Sequence, residues 1–153
     1  MNVREKASAP VAFVAHSFAR TDATLVAATK RAVRSAGYSI VTGEAAEVLR
    51  VSEKVRQRID GATLFVALLT RRFKIGDGRW STSPWVIEEK AYSLGSDGTR
   101  PIILLVERGV AVPEETGGLN GDLEYIGFER ERFDVARAKI REMMRRVLQA
   151  GSG

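Results

Sequence analysis

The run Thr63-Leu64-Phe65-Val66-Ala67-Leu68-Leu69 constrains the fold of this 153-residue chain more than any other segment. A strand with one face in water alternates apolar and polar residues, whereas an uninterrupted apolar run belongs to a strand covered on both faces, as in a parallel sheet with helices above and below. Pro101-Ile102-Ile103-Leu104-Leu105-Val106 repeats the pattern. Shorter strands are expected at Pro10-Val11-Ala12-Phe13-Val14-Ala15, from Tyr38 to Val41 and from about Tyr125 to Phe128. Helical segments lie between them, so the fold class is α/β: a five-stranded, mostly parallel sheet with helices on both faces.

The helices are legible from spacing and end signals. One opens near Thr21 or Asp22, buries Leu25, Val26, Thr29, Val33 and Ala36, and closes at Gly37. A second is capped by Ser52, with Val55 and Ile59 inward; a last one, capped by Asp134, buries Ala136, Ile140, Met143, Met144 and Val147. Residues 71–82 read as a long flexible connection, of a kind that often carries function. The boundaries that follow are a tail at 1–9, one domain at 10–148 and a flexible end at 149–153. The Gly-Ser-Gly end suits either a natural terminus or a chain cut from a longer protein with a sensor domain.

Composition removes several kinds of chemistry. The chain has no cysteine and one histidine, so thiolate catalysis, a disulfide framework and a Cys- or His-rich metal site are excluded. No apolar run is long enough to span a bilayer and the charged start lacks a signal-peptide core, so a cytoplasmic protein without a membrane partner is expected. The net charge is +5. Its cations are dispersed: Lys30, Arg31 and Arg34 on one helix, Arg56 and Arg58 on another, and Arg137 to Arg146 on the last. Solvated helix faces explain them better than a nucleic-acid groove does, and a phosphate-bearing ligand or an acidic partner remains compatible.

The segment Ser83-Pro84-Trp85-Val86-Ile87-Glu88-Glu89-Lys90-Ala91-Tyr92 holds the strongest chemical candidates. Ser83 suits an N-cap, Pro84 the first helical position, and Gly95 an end. Spacing alone leaves two readings open: Trp85 and Tyr92 in the core beside two solvated glutamates, or an aromatic platform with a functional acid one turn into the helix. The turn from His16 to Asp22, the segment 42–52 and the segment 71–89 all fall at the carboxyl ends of strands, where open α/β sheets bind ligands.

With the order of elements, Asp22 at the first helix start, and Ser83-x-Trp85-x-x-x-Glu89 after the central strand, the chain resembles a Toll/interleukin-1 receptor (TIR) domain from about Pro10 to Leu148. The resemblance implies a flavodoxin-like sheet and an NAD+ nucleosidase of the bacterial immune or cell-suicide type. That enzyme would release nicotinamide and either ADP-ribose or a cyclic isomer, and it would be activated by self-assembly into an oligomer or filament. NAD+ would be the substrate, with no separate cofactor or metal. Glu89 would be the catalytic carboxylate and Glu88 its outward neighbour. Ser17 to Asp22 would hold ribose or pyrophosphate with Arg20 adding charge, Phe18, Trp80 or Trp85 would stack on a base, and His16 would line the pocket. A packing role for Trp85, a plain N-cap role for Asp22 and a strand-end hydrogen-bonding role for His16 stay open.

The chain departs from the TIR pattern in places. Residues 42–51 lack a Pro-Gly turn, Ala15-His16-Ser17 replaces the commoner Ser-Tyr, and Lys90 stands where an apolar residue is usual, altering the packing or pairing with an acid. Two alternatives remain: a non-catalytic TIR-like interaction module, and a nucleoside deoxyribosyltransferase-like enzyme that attacks the same type of bond. A phospho-receiver fits worse, because Leu69-Thr70 stands where its phosphoacceptor aspartate belongs.

Overall fold

The computed structural model describes residues 10–43, 53–96, 100–111 and 124–151. Most of the 42–51 segment and the Ser52 cap lie outside the described residues, as do 1–9, most of the loop after residue 107, and the side chain of Val147.

Five strands form one sheet: β1 (Val11–Ala15), β2 (Ser39–Val41), β3 (Leu64–Leu69), β6 (Ile102–Glu107) and β7 (Glu124–Phe128). Their order is β2-β1-β3-β6-β7, and every pairing is parallel. Every residue of β3 and β6 is buried, because these two strands occupy the middle of the sheet and are covered on both sides. Four helices supply the cover: α1 (Ala23–Ser35), α2 (Glu53–Asp60), α3 (Pro84–Ser96) and α4 (Phe133–Gly151).

Alternate strand residues feed two separate cores. Ala12, Val14, Val66 and Ile103 pack with Leu25, Val33, Ile140 and Met144 of α1 and α4. Phe13, Phe65, Leu69 and Leu104 pack with Val55, Ile59 and Val86 of α2 and α3. The Phe13 and Phe65 rings stack with centroids 5.5 Å apart, at the register Phe13↔Phe65. This is the doubly wound arrangement that the apolar runs require.

Several boundaries differ from the expectation. The segment 71–82 contains an antiparallel hairpin of β4 (Phe73–Gly76) and β5 (Arg79–Ser81). Gly78, at φ +67, makes the turn, and Phe73-Lys74-Ile75 supplies the alternation. The hairpin is tied to the body because Trp80 N–H donates to the Gly109 carbonyl at 2.8 Å and Ala111 N–H donates to the Trp80 carbonyl at 2.9 Å. Gly95 lies inside α3, which continues to Ser96. Asp134 is in the first turn of α4, after a 3-10 turn at Arg130–Arg132, and α4 runs to Gly151, so residues 149–151 are helical.

Candidate functional site

Helix α3 turns the face carrying Val86, Glu89, Lys90 and Ser93 toward the sheet and leaves Glu88 exposed. These positions recur at three and four residues, the spacing of one helical face. Of the two adjacent glutamates, the structure therefore buries Glu89, at 1% exposure. Its Oε2 has no hydrogen-bond partner among the described residues, and neither does the half-buried Trp85 indole nitrogen one turn away. Burial pushes the Glu89 carboxyl from 4.5 up to about 8. It is protonated at neutral pH while nothing charged faces it.

Gly43, just past the end of β2, completes this cluster. A Cβ there would overlap Glu89 Oε2 and stand 3.1 Å from Trp85 Nε1. The missing side chain makes room for the carboxyl, which the spacing of the chain gave no means of finding. Gly43→Ala must displace Glu89 or Trp85, so it is expected to lower stability by about 1–3 kcal/mol, read from denaturant midpoints. A wild-type midpoint in this variant would show that the cluster relaxes freely around a Cβ.

Lys90 is 2% exposed, its Nζ has no partner among the described residues, and burial lowers its pKa. Of the two readings of Lys90, pairing with an acid is not found among the described residues. Because the ammonium is desolvated with no partner among the described residues, Lys90→Met should stabilise the fold by about 1–3 kcal/mol, read from denaturant midpoints. An unchanged or lower midpoint would show that Lys90 is compensated.

The turn after β1 is organised around a different carboxylate. Asp22 occupies the N-cap position of α1 but makes no capping hydrogen bond. It is 1% exposed and accepts hydrogen bonds from Ser17 Oγ at 2.5 Å and Thr70 Oγ1 at 2.6 Å. Arg130 Nη2 reaches Asp22 Oδ1 at 2.9 Å, and Arg130 Nε reaches Glu107 Oε2 at 2.9 Å. The Arg71 amide donates to Glu107 Oε1 at 2.9 Å. Burial alone would raise both carboxyls. For Asp22 the bonds from Ser17, Thr70 and Arg130 outweigh it, and for Glu107 those from Arg130 and the Arg71 amide do, so both stay below their ordinary values. The Ser17 hydroxyl and the Asp22 carboxylate are thus held by the protein itself, at the ends of β1 and β3. Sequence reasoning missed Thr70, Glu107 and Arg130, because only the folded sheet brings these strand ends together.

His16 is buried, donates from Nδ1 to the Ser17 carbonyl at 2.8 Å, and lies 4.9 Å from the exposed Phe18 ring. His16, Ser17, Phe18 and Arg20 line one cleft of about 630 Å³ with Lys30, Arg31 and Arg34. Glu89 and Trp85 are not among its lining residues. Trp80 sits in the hairpin, its ring 6.0 Å from the Arg71 guanidinium carbon. The eight residues singled out from the sequence therefore separate into a Glu89–Trp85 cluster, a cationic cleft backed by Ser17–Asp22, and Trp80 in the hairpin. The first two share the carboxyl edge of neighbouring strands β1 and β2. A further cavity of about 590 Å³, between the ends of β6 and β7 and the start of α4, is lined by Glu107 and by the exposed Arg108–Glu129 pair at 2.8 Å.

Among the described residues, no group of three His, Asp or Glu could hold a metal ion, and no helix is long and apolar enough to cross a membrane. No family model matches the chain, and no curated protein matches it. Solved structures match in fold. The Flv1 flavodiiron core from Synechocystis sp. PCC6803 has a TM-score of 0.57 at 12% identity, over 91% of this chain and 36% of that one. This chain thus spans about a third of that protein. A flavodoxin, WrbA-like protein from Agrobacterium tumefaciens has a TM-score of 0.56 at 13% identity, over 93% of this chain and 99% of that one. A response regulator receiver protein from Sinorhizobium medicae has a TM-score of 0.50 at 14% identity, over 90% and 94%. At these identities the likeness is one of fold: a flavodoxin-like α/β sheet.

Proposed function

We propose that this chain is a TIR-like NAD+ nucleosidase with Glu89 as its catalytic carboxylate. The observation that carries the proposal is a fully buried glutamate at the carboxyl edge of the sheet, raised to about 8, whose Oε2 and the neighbouring indole N–H both lack a partner among the described residues. Buried polar groups are ordinarily satisfied, so two converging exceptions in one cluster suit a site made for a ligand.

The chemistry follows from the bond. Nicotinamide in NAD+ is already cationic, so it departs as a neutral base carrying the bonding pair of the N-glycosidic bond. The ribose C1′ is left oxocarbenium-like. An ionised Glu89 beside the sugar stabilises that developing charge in a low-dielectric site. The pyridinium entering the site lowers the Glu89 pKa, so the proton leaves on binding. Water or an adenine nitrogen then attacks C1′, giving ADP-ribose or a cyclic isomer. Arg20 in the cationic cleft is the described residue best suited to the pyrophosphate, since Ser17 and Asp22 are committed to each other. NAD+ is a substrate here, and self-assembly is the proposed means of activation.

A flavin cofactor, the alternative that the flavodoxin-type neighbours raise, does not fit the residues. In this fold its phosphate belongs at the β1/β3 switch point. Here that point holds the buried Asp22 carboxylate with Ser17 and Thr70 bound to it. The near-complete burial of Glu89 favours one other reading, a non-catalytic interaction module.

Nicotinamide release from NAD+ by concentrated, assembled protein tests the proposal. No turnover together with a partner-dependent complex would establish the module instead. Base release from a deoxynucleoside but not from NAD+ would point to a deoxyribosyltransferase-like enzyme.

A further inference from the structure

The hairpin of β4 and β5 presents an apolar face to solvent. Phe73 and Ile75 are 56% and 55% exposed, and two residues apart on a strand they share one face. Lys74 pairs with Trp80 and is itself exposed, while the Trp80 ring lies near Arg71 and its backbone is bound to residues 109–111, which anchors the hairpin to the protein body. Exposed cations flank the apolar pair along the chain. Arg71, Arg72, Lys74 and Arg79 stand in residues 71–79 against one acid, Asp77, and the Arg72 guanidinium carbon lies 5.8 Å from the Phe73 ring centroid.

We propose that this hairpin docks the protein onto an anionic lipid bilayer surface, with Phe73 and Ile75 entering the headgroup boundary and Arg72, Lys74 and Arg79 facing lipid charge. Charge complementarity selects the occupant. A second copy would bring the same excess of cations, and a bulged edge strand with a central lysine opposes edge-to-edge pairing. A nucleic acid would use the cations and could stack on Phe73, but it offers nothing to an aliphatic Ile75. A bilayer accepts both apolar side chains and the cations around them. Such docking is peripheral and requires no spanning helix. It is independent of NAD+ turnover.

Sedimentation of the full chain with vesicles tests this, comparing phosphatidylcholine alone with phosphatidylcholine containing phosphatidylserine. We expect partitioning onto the anionic vesicles to exceed that onto neutral ones by more than about tenfold and to weaken with added salt. Phe73→Ser/Ile75→Ser and Lys74→Glu/Arg79→Glu should each reduce it at least about tenfold, whereas Arg31→Glu/Arg34→Glu on α1 makes the same charge change and should have little effect. Equal binding to both vesicle types by the wild-type chain overturns the proposal without any variant. So does an equal loss in the α1 variant, which would reduce the effect to net charge. A single-stranded oligonucleotide that needs Phe73 and Ile75 and displaces the protein from vesicles would replace lipid as the ligand. Circular dichroism of each variant confirms that the fold is kept.

Discussion

Under the proposed nucleosidase chemistry, Glu89→Gln is expected to lower NAD+ cleavage by at least about 10²–10³-fold in kcat, the range lost when one preorganised electrostatic group is removed from a transition state. The amide keeps the volume and the burial but cannot carry the charge that the ribose cation needs. The wild-type pH profile makes the assignment sharper. Because the proposed mechanism uses Glu89 ionised, and burial raises it to about 8 in the free protein, kcat/KM should rise about tenfold per unit from pH 6 and level off above about 8. A flat profile over that range, or a Gln variant with near-normal kcat, would remove Glu89 from the chemistry.

Stability should move in the opposite direction over the same pH interval. Between its ordinary value of 4.5 and about 8, the native state holds a Glu89 proton that the unfolded chain gives up. Wild-type stability therefore falls as pH rises through that window, by at most roughly 1.4 kcal/mol per unit. Glu89→Gln should abolish the slope. This variant is then expected to lose activity while gaining stability at neutral pH, a combination that a merely structural glutamate would not produce.

The largest loss of stability is expected from Arg130→Ala. Its guanidinium, raised in pKa chiefly by Glu107 against the opposing effect of burial, and further by Asp22, is the one described cation hydrogen-bonded to both buried carboxylates. Removing it leaves two charges at 1% and 3% exposure without their counterion. Breaking a buried pair in this way costs about 3–5 kcal/mol, measurable by urea denaturation at pH 7. Asp22→Asn added to Arg130→Ala should recover part of the loss, because a neutral amide avoids the desolvated charge. In the wild type the folded pKa values of Asp22 and Glu107 are depressed. The stability they contribute is present above the ordinary carboxylate range and is lost as pH falls through their folded values. A cost under about 1 kcal/mol for Arg130→Ala would mean that water compensates these groups.

The arrangement around Asp22 also shows what spacing hides. At the start of a helix an aspartate reads as a cap, yet here its oxygens are taken by Ser17, Thr70 and Arg130, which come from three separate strand ends. Thr70 stands 48 residues away and Arg130 stands 108 residues away. No local rule connects such positions. The hairpin was hidden for a related reason: two short strands with four exposed residues in β4 lack the apolar density by which β3 and β6 announce themselves.

By itself the sequence determined the architecture. Continuous apolar runs can be satisfied only inside a doubly covered parallel sheet, and the periods of α1, α2 and α4 assign their buried faces without reference to neighbours. It also nominated Glu89 over its neighbour Glu88, through the family resemblance carried by the capped helix start and the Trp85 spacing. Only the tertiary structure decided what surrounds each of them. The rotation of α3 against the sheet sends Glu88 to water and Glu89 against Gly43, and the energy of a carboxylate depends on what surrounds it far more than on which residues precede it.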